Sequence, residues 1–227
     1  MKIGERFLCL AILCWGSALF AGAQDIVWGQ PTPISSADDL DTNGSYVDAL
    51  QAHGEKQVNG SPETVATVTN PTTNVAVKFN VYTGGGSTMI APGNYYADGT
   101  FSIIADANSG ADGSGSDVTD YQRVLDGCTY VYAPHIGTVN IVGLKKGDKY
   151  EVQVWASAGG RPITYTSGSS SVDLNKIPNK TGEFVIGSFT ARDSTEIFIF
   201  KNTYKIDVPA GEINAISLRD VSPTSGT

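Results

Sequence analysis

The chain has 227 residues, 41% of them apolar and only 17% charged, with 26 glycines and ten prolines. That balance excludes a charge-driven disordered chain, and the aperiodic glycines exclude a collagen-like one. A net charge of −8 and a pI near 4.6 leave no basic footprint for nucleic acid or anionic lipid.

Residues 1–23 read as a secretory signal peptide. Lys2 and Arg6 supply the positive start, and Phe7 to Phe20 is an apolar run too short for a comfortable membrane span of about 20 residues. Ala21-Gly22-Ala23 is the small-residue pattern of a cleavage site, which places the mature start at Gln24. The expectation is a secreted protein, outside the cell, at its surface or in a periplasm, with 24–227 as one domain. Cys9 and Cys14 leave with the signal. Cys128 then stands alone, without an internal disulfide or an unaided zinc cluster, and reads as a small buried hydrophobe.

Along the mature chain, β-rich runs recur between Gly, Pro, Asn and Asp clusters. They are residues 25–28, 64–69, 74–82, 138–144, 149–156, 162–166, 183–191, 196–201 and 213–221. In 149–156, Tyr150, Val152 and Val154 share one face while Glu151, Gln153 and Trp155 share the other, so Trp155 is half exposed unless a neighbouring loop covers it, and cover is the expected reading. Residues 195–200 are apolar on both faces, as in a strand between two covered layers. Lys145-Lys146-Gly147-Asp148 fits a hairpin turn. One weak helix is predicted over 116–125, where Val118, Tyr121, Val124 and Leu125 fall on one side. The pattern predicts an all-β fold, a two-sheet antiparallel β-sandwich or jelly roll.

Four stretches together resemble a family of secreted bacterial β-sandwich modules. They are Trp28-Gly29-x-Pro31-x-Pro33-Ile34-Ser35 followed by Asp39-Leu40-Asp41-Thr42-Asn43-Gly44-Ser45; Asp120-Tyr121-Gln122-x-x-Leu125; Val142-Gly143-Leu144 leading into Tyr150 to Trp155; and Asn214-Ala215-Ile216-x-Leu218-Arg219-Asp220. The resemblance implies a jelly roll similar to galactose-binding-like domains, many of which bind sugars. The central stretch is also similar to a fibronectin type III segment with its tyrosine corner. Those domains end soon after that hairpin, at about 100 residues, whereas several strand-like runs follow Trp155 here.

Catalytic chemistry has little to work with. His53 and His135 are the only histidines, and no nucleophile elbow, zinc-protease motif or P-loop is present. Paired carboxylates could run glycoside hydrolysis, but none stands in a recognisable motif. The stretch 106–120 alternates acidic and amide oxygens with glycine, and Asp106, Asp112, Asp117 and Asp120 are candidate Ca²⁺ ligands, a solvated loop being the other reading. Tyr95-Tyr96 with Asp98, in a turn-rich stretch, and Arg161 beside glycines are candidate sugar contacts: ring faces to stack on a pyranose, polar groups for its hydroxyls. Arg219-Asp220 reads as a local structural pair. The sequence therefore points to non-catalytic carbohydrate binding. Its alternatives are a structural or adhesion sandwich contacting other proteins and, third, an unrecognised glycosidase.

Overall fold

The computed structural model describes residues 25–52, 64–81, 88–90, 95–99, 102–105, 119–132, 136–157, 162–175, 182–203 and 209–223. The first half of the chain holds β1 (Val27–Trp28), β2 (Thr32–Pro33), a 3₁₀ turn (Ala37–Asp39), β3 (Ser45–Gln51), β4 (Thr64–Thr69), β5 (Ala76–Val81), β6 (Thr88–Ile90), β7 (Tyr95–Gly99) and β8 (Ser102–Ala105). A short helix α1 (Asp120–Asp126) leads into β9 (Gly127–Tyr132), β10 (Ile136–Val142), β11 (Lys149–Ala156), β12 (Ile163–Ser167) and β13 (Ser170–Leu174). The chain closes with β14 (Glu183–Thr190), β15 (Thr195–Asn202), β16 (Pro209–Ile213) and β17 (Ala215–Asp220).

These strands form a β-sandwich. The larger sheet runs β1-β14-β11-β17-β3-β5-β4, with β2 also on β14; the second runs β13-β12-β15-β10-β7-β6. A short third sheet, β16-β9-β8, was not foreseen. Every pairing is antiparallel except β3 with β5. Tyr150, Val152 and Val154 of β11 and Leu218 of β17 meet Val139, Ile141, Phe198 and Phe200 of the facing sheet in one buried core. Trp28 closes one edge, its ring 5.9 Å from Tyr165 and 5.4 Å from Phe198. Among the described residues no helix is long and apolar enough to cross a membrane.

A second apolar layer lies on the outside of the larger sheet. Phe79, Trp155, Phe184 and Ala215 are covered there by Leu40 and by Tyr121, Val124 and Leu125 of α1. The larger sheet is therefore buried on both faces at its centre, which leaves residues 152–157 buried without a break.

Sequence and structure agree at 64–69 and 149–156 to the residue. Elsewhere they differ for physical reasons. The 213–221 run is interrupted by Asn214, whose backbone N–H turns to the Trp155 carbonyl at 2.8 Å. Lys145–Asp148 is not a hairpin turn: β10 and β11 belong to different sheets, so the segment arches across the sandwich. It is held against the 191–194 crossing by Gly147 N–H on Ala191 O (2.7 Å) and Leu144 N–H on Ser194 O (3.1 Å). Tyr150 gives the arch a corner, its hydroxyl accepting from Lys145 N–H at 3.0 Å. Strand β15 is covered unequally on its two faces: Phe198 and Phe200 are buried, while on the other face Ile197 is 48% exposed and Ile199 half-buried. The helix begins at Asp120, and residues 106–118 ahead of it lie outside the described residues, as do His53 and His135 and the side chain of Cys128.

Candidate functional site

Residues from all four sequence stretches, 142–144 excepted, meet on the outside of the larger sheet, where they make structural contacts. Trp155 Nε1 donates to the Tyr121 hydroxyl at 3.0 Å, and that hydroxyl donates to Asp39 at 3.1 Å. Gln153 donates to the Asp39 carbonyl (2.6 Å) and accepts from the Asp41 N–H (2.8 Å). Asn214 donates to the Leu125 carbonyl at the far end of α1, at 2.9 Å. The opening segment and α1 are thus fastened over β11. That is why Trp155 is fully buried, covered by a neighbouring segment as expected. Burial, then the neighbouring Asp39, holds the Tyr121 hydroxyl well above the usual phenol range.

Next to this fastening, Arg219 reaches into the Asp41–Gly44 turn. Its Nε donates to the Asn43 carbonyl and its Nη2 to the carbonyls of Gly44 (3.0 Å) and Thr42 (3.4 Å). The expected pairing with Asp220 does not form: adjacent strand residues point to opposite faces, and the Asp220 carboxylate accepts from Ser222 N–H instead. Asp41 is buried and accepts from Asn43 N–H at 3.0 Å, but its second oxygen has no donor. Burial and the adjoining Glu151 push its carboxyl up to about 6, against the pull of Asn43 and Arg219.

A cleft of about 480 Å³ opens where this layer meets the free edge of the larger sheet. Ser35 and Ser36 line one side, Thr67 to Thr69 of β4 the floor, and Thr119 to Gln122 the other side. Ser36 caps the 3₁₀ turn and Asp39 returns the bond, while Ser35 gives both N–H and hydroxyl to Asp39 at 2.7 Å. The cleft was not anticipated from sequence. Its legible trace was the Ser36-x-x-Asp39 capping pattern, which fixes one wall.

The sequence-chosen contacts are distributed differently. Tyr95, Tyr96 and Asp98 lie in strand β7, not in a turn. Tyr96 registers opposite Asn140 and Asp98 opposite Thr138, while Tyr95 registers opposite the core residue Ile141. Alternation along the strand therefore separates Tyr95 from Tyr96. The Asn140 and Thr138 positions pair in turn with Ile197 and Ile199 of β15, on the face of the second sheet that points away from the core. Arg161, Asp106, Asp112 and Asp117 lie outside the described residues. Asp120 is exposed and sits 3.7 Å from Arg123. Among the described residues no group of three or more His, Cys, Asp or Glu is arranged to hold a metal ion.

No protein-family model matches the chain, and no curated protein matches it. Among solved structures it is similar to an exo-β-1,3-galactanase from Phanerochaete chrysosporium. With β-1,3-galactotriose bound to a variant, identity is 15% over 57% of this chain and 30% of that one, at a TM-score of 0.31. With galactose bound, it is 15% over 68% and 33%, at a TM-score of 0.33. The chain spans about a third of that enzyme's length. Likeness at this level carries no argument about activity.

Proposed function

We propose that this protein is a secreted, non-catalytic carbohydrate-binding module of galactose-binding-like type, and that the outer face of its second sheet contacts the sugar. The supporting observation is the register of β7. It aligns Tyr96 and Asp98 with Asn140, Thr138, Ile197 and Ile199 across three neighbouring strands. The register sets an aromatic and an acidic residue beside Thr138 and the exposed Ile197, residue types that suit a pyranose with one apolar face and a ring of hydroxyls, while Asn140 on this face is buried. Antiparallel sheets leave such a face to solvent readily.

The test is a glycan-array screen of residues 24–227, with calcium and again with chelator. A specific glycan signal lost in Tyr96→Ala and kept in Tyr95→Ala supports the reading. A blank array, or equal loss in both variants, overturns it. Sensitivity to chelator would place calcium at the 106–120 loop, through Asp106, Asp112, Asp117 and Asp120.

One observation favours the alternative, an adhesion or structural sandwich that contacts other proteins. Ile136 and Ile197, 47% and 48% exposed, lie on this same face. A partner protein would cover both. Loss of pull-down from the surrounding extracellular material in Ile136→Lys plus Ile197→Lys, with the array blank, would shift the assignment to that reading.

A further inference from the structure

We infer that the cleft between the 3₁₀ turn and α1 is a second binding site, distinct from the sheet face, and that it takes a single neutral hexose unit. The inference rests on the carbohydrate reading for its ligand class but not for its location. Its volume of about 480 Å³ falls within the roughly 300–1,000 Å³ of small-molecule sites.

The chemistry of the walls selects the ligand. Most lining side chains carry hydroxyl, amide or carboxylate groups, and Asp120 is the one charged residue among them. Asp39 stands directly behind the serine wall, holding Ser35, Ser36 and Tyr121. The one lining carboxylate, Asp120, sits 3.7 Å from Arg123, and no lysine or arginine lines the cleft to receive an anion. The remaining polar groups both donate and accept, as the hydroxyls of a sugar do.

The walls are also preset. Gln122 Oε1 accepts from the Thr119 N–H (2.9 Å) and hydroxyl (3.0 Å), which fixes the amide and leaves its Nε2 protons for a ligand. The serine wall is held by the reciprocal cap on Asp39. A site fixed before binding spends less ordering entropy on its ligand.

Among the described residues β4 is the last strand of its sheet, so an extended peptide adding to its edge is the competing occupant. Only Thr67, Val68 and Thr69 of β4 line the cleft, between the two walls. Three residues span about 10 Å, short of the five or six of an ordinary strand. A compact ligand fits where a strand does not.

The test is amide chemical-shift mapping on the full mature chain. It is titrated separately with D-glucose, D-galactose, D-mannose, D-glucuronate and an extended Val-Thr pentapeptide. The expected result is that one neutral hexose moves the amides of Ser36, Thr67, Val68 and Gln122, and glucuronate does not. Gln122→Ala and Thr67→Val should then each weaken that hexose roughly 2- to 10-fold, the loss of one neutral hydrogen bond. The inference fails if no hexose moves those amides, if the shifts map to Asn140 and Ile197 instead, or if the pentapeptide alone moves them. A glycan-array signal that depends on Tyr96, with a silent cleft, sinks this inference and leaves the sheet-face reading standing.

Discussion

Trp155 and Tyr121, 34 residues apart in sequence, share a hydrogen bond of 3.0 Å beneath the outer layer of the larger sheet. Around it, Phe79 meets Trp155 edge-on at 5.9 Å and Phe184 lies tilted at 6.4 Å. An indole N–H at this depth has no water to turn to. Tyr121→Phe keeps the ring and removes its acceptor, so the cost is that of an orphaned buried donor, about 1–3 kcal/mol. Urea unfolding checks it: the midpoint should fall with an unchanged slope. An unmoved midpoint would show that the fastening of α1 does not depend on this bond.

Arg219 supports a different prediction. Its planar fork serves three consecutive carbonyls, of Thr42, Asn43 and Gly44. A lysine is a single point charge and cannot span them. Arg219→Lys is expected to cost about 1–2 kcal/mol, and Arg219→Met, which strands all three carbonyls, about 2–4 kcal/mol. The same turn requires Gly44, whose φ is +61° and whose added Cβ would meet the Asp220 carbonyl oxygen at 2.1 Å. Gly44→Ala should therefore destabilise although it adds one methyl. Thermal melts of the three variants would reveal the order Met > Lys for loss. Equal melting of Lys and wild type would contradict the carbonyl count.

Asp41 makes folding pH-dependent with a sign opposite to the usual carboxylate. Its folded value is raised to about 6 by burial and by Glu151, against an unfolded value near 3.9. The folded state therefore holds a proton that the unfolded state has already released. Stability from this group is complete below about pH 4 and is lost as pH rises through 6. Asp41→Asn supplies a permanent donor toward Glu151 and keeps an acceptor for Asn43. The variant should lose that slope and be at least as stable as wild type at pH 7. Equilibrium unfolding at pH 4, 5, 6 and 7 checks it; a wild-type curve that rises across this window would reverse the assignment.

The strands with strong alternation were legible because burial imposed their period. Residues 149–156 read correctly as a strand from Tyr150, Val152 and Val154 alone. What local pattern could not supply was the third dimension. Nothing in the spacing of Glu151, Gln153 and Trp155 says that 34–40 and α1 lie over them, so cover of Trp155 was to be expected but not which segments supply it. Short strands such as β6 and β8, of three and four residues, carry too little period to register. The Lys145–Asp148 turn had hairpin chemistry, but which sheet each flanking strand joins is decided by pairing far along the chain. The cleft was illegible for the same reason: Ser36, Thr67 and Gln122 share no motif, and only the fold makes them neighbours.

The two faces of β15 give the last prediction, and it bears on function. Phe198 is fully buried in the sandwich, while its neighbour Ile197 is 48% exposed on the outer face. Phe198→Ala should cost about 3–5 kcal/mol, a core truncation that leaves a cavity. Ile197→Lys should move stability by no more than about 0.5 kcal/mol, as a surface change does. Paired chemical denaturation of the two variants measures whether the outer face of the second sheet is free. A loss above about 1 kcal/mol in Ile197→Lys would mean that another part of the chain covers that face. The sheet would then have no surface to offer a sugar, and the cleft beside α1 would be left as the place to look.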